Sequence, residues 1–174
     1  MFEIESKACI PKNKIKKILK IANQKFKFIK KEIKDDTYYC NTEKVIRIRK
    51  SNIAEAIVTF KIKSLESYIE INKEIEFKVD QINNFISFLE EMDFKILYKK
   101  IKKSLIYKKE NLNIEINLIK NLGFFLEIEK IIHDKNELSL AKKEIYETIK
   151  EFKLQNNIEK KSYFELILAN QLKE

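Results

Sequence analysis

Polar and apolar residues alternate along most of this chain. FEIESKAC (2–9), EKVIRIRK (43–50), AIVTFKIK (56–63), ESYIEINKEIEFKV (66–79), FKILYKKIKKSLIY (94–107), NLNIEINLI (111–119) and FFLEIEKI (124–131) all repeat with a period of two. KEIKDDTYYC (31–40) does so more weakly. A period of two puts one set of side chains on each face of a strand, so the pattern predicts about eight strands.

Between the strands, the apolar spacing widens to that of helices. Ile15, Ile18, Leu19, Ala22, Phe26 and Ile29 predict about 20 helical residues after Pro11, which suits a first turn. Ile82, Phe85, Ile86 and Leu89 predict a second helix capped by Asp80. Leu138, Ala141, Ile145, Ile149 and Phe152 predict a third over about 136–153. Ser162-Tyr163-Phe164-Glu165 has capping-box spacing and opens a terminal helix through Leu166, Ile167 and Leu172.

The polar faces of the strands are sorted by charge. One strand offers Glu3, Glu5 and Lys7; others offer Arg47 and Arg49, Lys61, Glu74, Glu76 and Lys78, Lys100 and Lys102, Glu115 and Asn117, and Glu127 and Glu129. In an ordinary half-buried sheet such a face is solvated. If the strands close into a barrel, the same faces point inward and oppose acids to bases across a lumen. The pattern alone leaves both arrangements open.

Composition sharpens the chemistry. The chain has 174 residues, enough for one domain spanning 1–174, and a mean hydropathy of −0.39. No apolar run reaches the roughly 20 residues of a membrane span, and no signal peptide is legible. Cys9 and Cys40 lack metal-ligand spacing and read as reduced thiols of a cytoplasmic protein. A net charge of +9 calls for an anionic partner. His133 is the only histidine, which excludes a Cys/His zinc site and a Ser-His-Asp triad. With a single glycine, the chain cannot build a phosphate-binding loop, so phosphate must be held by side chains. Of 36 basic residues only Arg47 and Arg49 are arginines, and guanidinium binds phosphate through two parallel hydrogen bonds where ammonium acts as a point charge. Carboxylate pairs on separate strands suit Mg²⁺ or Mn²⁺. The tyrosines and phenylalanines do not alternate with arginine, so no specific nucleic-acid platform is read.

These residues resemble the CYTH superfamily, the triphosphate tunnel metalloenzymes. Glu3-x-Glu5-x-Lys7 matches its ExExK. DDTYYC, Arg47-x-Arg49, Lys61, Glu74-x-Glu76, the LGFFLEIE segment (122–129) and KSYFELIL (161–168) follow in the family's order. The resemblance covers nearly the whole chain and implies an α+β fold: a closed or nearly closed eight-stranded antiparallel β-barrel with a charged lumen and flanking helices. The bacterial class IV adenylate cyclases are the most similar branch. That likeness implies a homodimer converting ATP to cyclic AMP and pyrophosphate with Mg²⁺ or Mn²⁺, no membrane partner, metal on Glu3, Glu5, Glu127 and Glu129, triphosphate on Arg47, Arg49, Lys61, Lys78 and Lys102, and a catalytic part for Glu3, Glu5 and Lys7.

Two positions depart from the family pattern. Ser104 stands where an arginine is common, and Asn117 where an aspartate is common. A shift of two along the strand would instead make Lys100 and Lys102 the lumen pair. Hydrolysis of a tripolyphosphate, of thiamine triphosphate or of a nucleoside triphosphate needs the same site. So does a binding module without turnover.

Overall fold

The outer phase of the strands carries the apolar residues, and this is what closes the sheet around a polar interior. The computed structural model describes residues 1–42, 44–51 and 55–171. In chain order the elements are β1 (Phe2–Ile10), α1 (Ile15–Lys25), β2 (Lys27–Asn41), β3 (Lys44–Ser51), β4 (Ile57–Glu66), β5 (Ile69–Lys78), α2 (Ile82–Glu91), β6 (Lys95–Lys109), β7 (Leu112–Ile119), β8 (Gly123–Ile132), α3 (Leu138–Glu151) and α4 (Tyr163–Gln171). The strands form a closed antiparallel barrel in the order β1-β5-β4-β3-β2-β6-β7-β8. The fold is α+β, with four flanking α-helices among the described residues.

The main core lies outside the barrel wall. Ile4, Ala8 and Ile10 of β1, Ile114 and Ile116 of β7, and Leu126 and Ile128 of β8 pack against Ile18 and Ala22 of α1 and Ala141, Ile145 and Ile149 of α3. These outward apolar faces leave the water through helix packing, and the charged residues of the other phase are turned into the lumen. The α3 stripe is the one its spacing predicts, with Phe152 just beyond it. A capping box between Asp134 and Glu137 starts a short 3-10 turn ahead of the helix. At α4, the Glu165 N–H donates to Ser162 Oγ at 3.2 Å and the Ser162 N–H donates to Glu165 Oε2 at 2.6 Å, which is the predicted capping box. Leu172 lies outside the described residues.

Three boundaries differ from the sequence reading. α1 stops at Lys25, and Phe26 is extended, at φ −127° and ψ 150°. Ile29, expected on that helix, belongs to β2, because β2 pairs with β6 along almost its whole length and that ladder outweighs a helical periodicity. Glu66–Val79 is not one strand: the chain turns between β4 and β5 at Ser67, at φ +59°. Gln81 rather than Asp80 caps α2, and no side chain closes that cap.

Candidate active site

Register decides which charges meet inside the barrel. β8 pairs with β1 so that Glu129 faces Glu5 and Glu127 faces Lys7. It pairs with β7 so that Glu127 faces Glu115. Glu115, Glu127 and Glu129 each bring a carboxylate oxygen to within 4.8 Å of the others. Glu3 and Glu5 lie beside this group but are held by Lys61, whose Nζ is 3.2 Å from Glu3, 3.7 Å from Glu5 and 3.1 Å from Glu74.

The opposite wall is cationic. Arg49 makes a two-pronged pair with Asp36, at 2.7 and 3.0 Å, and Lys100 reaches the same carboxylate at 3.2 Å. Lys102 donates to Glu115 and Glu127, both at 2.7 Å, and Lys34 donates to Glu115 at 2.7 Å. Lys7 belongs instead to β1, the strand of Glu3 and Glu5; it is buried, lies 3.3 Å from Glu70 and does not itself line the cavity. Arg47 donates through one terminal nitrogen to Thr59 Oγ1 at 2.8 Å, while its Nε is buried with no partner among the described residues. An unpaired buried donor is costly, and one on a cavity wall is satisfied by an anionic ligand.

A cavity of about 660 Å³ separates these walls. Glu3, Glu5, Arg47, Arg49, Lys61, Glu74, Glu76, Lys100, Lys102, Glu127 and Glu129, all named from the sequence, line it together. Glu76 sits toward the rim, accepting from Thr59 at 3.0 Å. At one end, α4 lays the Tyr163 ring under two ammonium groups, 4.8 Å from Lys100 and 5.5 Å from Lys7, and edge-on to Phe125.

Lys78 is corrected. Although on the inward phase of β5, it sits at the strand's end, 70% exposed and paired with Glu55 at 2.9 Å, and does not line the cavity. Lys100, Lys102 and Ser104 all share the inward phase of β6, but of the three Lys100 and Lys102 line the cavity and Ser104 does not, which makes the two lysines the lumen pair. Ser104 and Asn117 are cross-strand partners, both buried. Asn117 Nδ2 donates to Glu127 at 2.8 Å, while Ser104 Oγ and Asn117 Oδ1 have no partner among the described residues.

The structure adds Glu115, Asp36, Lys34 and Glu70. Glu115 was visible in the sequence on the polar phase of NLNIEINLI, but single, without the ExE doublet that marks the other acids. Asp36 stands in the quoted DDTYYC, and nothing local distinguishes it from Asp35.

Burial, then the nearby charges of Glu115 and Glu3, pushes the Glu129 carboxyl up to about 8. Burial and Glu5 raise Glu3 to about 7. Burial works against the Lys102 charge, but Glu115 and Glu127 outweigh it and hold the ammonium above its usual range. Burial likewise opposes ionisation of Glu115, and Lys102 and Lys34 more than offset it. Burial first, and the neighbouring carboxylates second, therefore disfavour the charged form of Glu129 in the metal-free site. Three converging carboxylates fit a hard divalent cation, which prefers oxygen ligands.

The CYTH domain model matches residues 1–163. The chain is 34% identical over 175 residues to "Putative adenylate cyclase MJ0240" of Methanocaldococcus jannaschii, covering 95% of this chain and 98% of that one. Its fold is similar to PH1012 of Pyrococcus horikoshii OT3, with a TM-score of 0.80, 29% identity and coverage of 94% and 98%. HpAC1 of Hippeastrum shares the fold at a TM-score of 0.69 and 18% identity, covering 97% of this chain and 95% of its own. With the family model spanning nearly every described strand and helix, and the charged lumen formed by the residues that carry the motifs, the chain belongs to the CYTH domain family.

Proposed function

We propose that this protein is an adenylate cyclase that converts ATP to 3′,5′-cyclic AMP and pyrophosphate inside the barrel. The observation that carries this reading is one cavity with converging carboxylates on one wall and guanidinium and ammonium groups on the other. A triphosphate with a divalent cation answers both walls at once, its phosphates meeting the guanidinium and ammonium groups and its cation the carboxylates. The relative MJ0240 bears a cyclase name over nearly its whole length.

Glu115, Glu127 and Glu129 would hold Mg²⁺ or Mn²⁺, with Glu3 and Glu5 beside them. Such a cation supplies charge neutralisation at phosphate and makes a nearby hydroxyl more acidic. Arg47 offers its unpaired Nε to a phosphate oxygen. Arg49 is fixed by Asp36, so its guanidinium is oriented before substrate arrives, which lowers the ordering cost of binding. Lys61, Lys100 and Lys102 neutralise further oxygens, and Lys7, held by Glu70, adds charge toward the leaving group. The ribose 3′-oxygen forms a bond to the α-phosphorus as the bond from that phosphorus to the bridging oxygen breaks. The hydroxyl proton passes to solvent water in the cavity, and pyrophosphate leaves with the bonding pair. The side chains accelerate this by position and charge.

Hydrolysis by water is the second reading. HpAC1, which shares the fold, is described as having a dominant triphosphatase activity. One experiment separates the two: incubation of pure protein with ATP and Mn²⁺ or Mg²⁺, with products resolved by chromatography. Cyclic AMP with pyrophosphate is the expected result; ADP or free phosphate without cyclic AMP overturns the cyclase reading. We also infer a cytoplasmic homodimer, supported by exposed Ile62, Ile75 and Phe77 on the outer faces of β4 and β5. No described helix is long and apolar enough to cross a membrane. A monomeric mass by light scattering would exclude the dimer.

A further inference from the structure

Three aromatic rings from three different elements stack in a row at one end of the cavity. Tyr38 of β2 and Tyr98 of β6 are cross-strand partners whose rings lie nearly parallel, with centroids 4.2 Å apart and an interplanar angle of 8°. Tyr98 then stacks on Phe164 of α4, at 4.8 Å and 24°. All three line the cavity, together with the apolar Val45 and Leu97.

The row has a direction. Its Tyr38 end is closed by Lys100, whose Nζ lies 5.3 Å from the ring centroid, donates to the Tyr38 hydroxyl at 3.0 Å, and also pairs with Asp36. The stack therefore begins at the phosphate-binding wall. Tyr98 has rings on both sides. Phe164 makes a single ring contact among the described residues and is only half-buried. It is the ring of the row with a face left to give to a ligand.

We propose that Phe164 is the base-stacking residue of the site: it takes the planar nucleobase of the substrate while the charged walls hold its triphosphate. Stacking rewards any flat π system, so the residue favours a nucleoside triphosphate over bare tripolyphosphate without reading the base edge. Its place on the terminal helix also explains a use for α4. Tyr163 seals the lumen over Lys7 and Lys100, and the next residue turns its ring to the Tyr38–Tyr98 pair. This inference rests on the reading of the cavity as a triphosphate site.

The test measures binding of a non-hydrolysable ATP analogue and of inorganic tripolyphosphate, each with Mg²⁺, by titration calorimetry. Phe164→Ala should weaken the ATP analogue roughly tenfold, the scale of one lost base–aromatic stack, and shift tripolyphosphate less than twofold. Phe164→Tyr should restore nucleotide affinity, and Phe164→Leu, which keeps apolar bulk without a π face, should not. Equal weakening of both ligands by Phe164→Ala would show that the ring only props α4, and no change in either would remove it from the site; both overturn the inference. Failure of the unchanged protein to bind either ligand overturns the triphosphate reading itself, and so is told apart from failure of the stacking residue alone.

Discussion

Arg47 shows how one side chain carries the argument for phosphate. Its terminal nitrogen is used by Thr59, yet its Nε is buried with no partner among the described residues. Lysine has no second donor in that plane. Arg47→Lys should therefore lower catalytic efficiency toward ATP about tenfold to a hundredfold, the cost of a lost charge-assisted hydrogen bond, with an unchanged circular-dichroism spectrum. Wild-type efficiency in that variant would remove Arg47 from the phosphate wall. Lys78→Ala is the matching contrast: its ammonium answers to Glu55 outside the cavity, so kinetics should stay within twofold. At this scale the sequence was a good guide to residue type and phase but not to reach. Lys78 shares the phase of Glu74 and Glu76, yet at the strand's end its side chain leaves the lumen, and alternation does not encode where a lumen stops. Glu115 was legible as inward and not as a member of the carboxylate group, because that depends on three strands meeting in register.

Elements were legible where pattern and ladder agree. β1, β6, β7 and β8 sit close to where alternation puts them, and of the α3 stripe Ala141, Ile145, Ile149 and Phe152 are buried while Leu138 is partly so. Reading failed where the two conflict, as at Phe26 and Ile29, and where turns lack their usual residues. Thr42, Ser67, Glu110 and Lys153 adopt positive φ without being glycine, asparagine or aspartate, so a turn such as Ser67 leaves no mark in the sequence. Gly123 is the exception and opens β8, the strand of Glu127 and Glu129, at φ +103°. A Cβ there would meet nothing within 4 Å, so the requirement is conformational rather than steric. Gly123→Ala should destabilise by about 1–3 kcal/mol, read as a lower urea midpoint at unchanged m-value. Equal stability would show that β8 starts without that backbone conformation.

The barrel as a whole crowds carboxylates of three strands into one buried group, and this makes metal, pH and stability one linked quantity. Glu129 at about 8 and Glu3 at about 7 lie above the value they share in the unfolded chain, 4.5. At these two carboxyls the metal-free fold thus holds protons that the unfolded chain has lost between about 4.5 and 8. The stability these protonated groups allow is complete below 4.5 and is lost as pH rises through 7 to 8. Lys34, held below its usual value by burial and Lys102, slopes the other way, so the metal-dependent difference is the diagnostic rather than the raw slope. A divalent cation replaces those protons and binds the native carboxylates, so its effect must grow with pH. In chelator, the melting temperature should fall between pH 6 and pH 8.5. Saturating Mn²⁺ should raise it at pH 8.5 by several degrees, roughly 5 °C, and much less at pH 6. Calorimetry in buffers of different ionisation enthalpy should show proton release on binding near pH 7. Glu129→Gln should flatten the metal-free profile and abolish most of the Mn²⁺ gain. A gain equal at both pH values, or one that survives Glu129→Gln, would place the cation away from Glu115, Glu127 and Glu129 and dissolve the link between the acid wall and the metal.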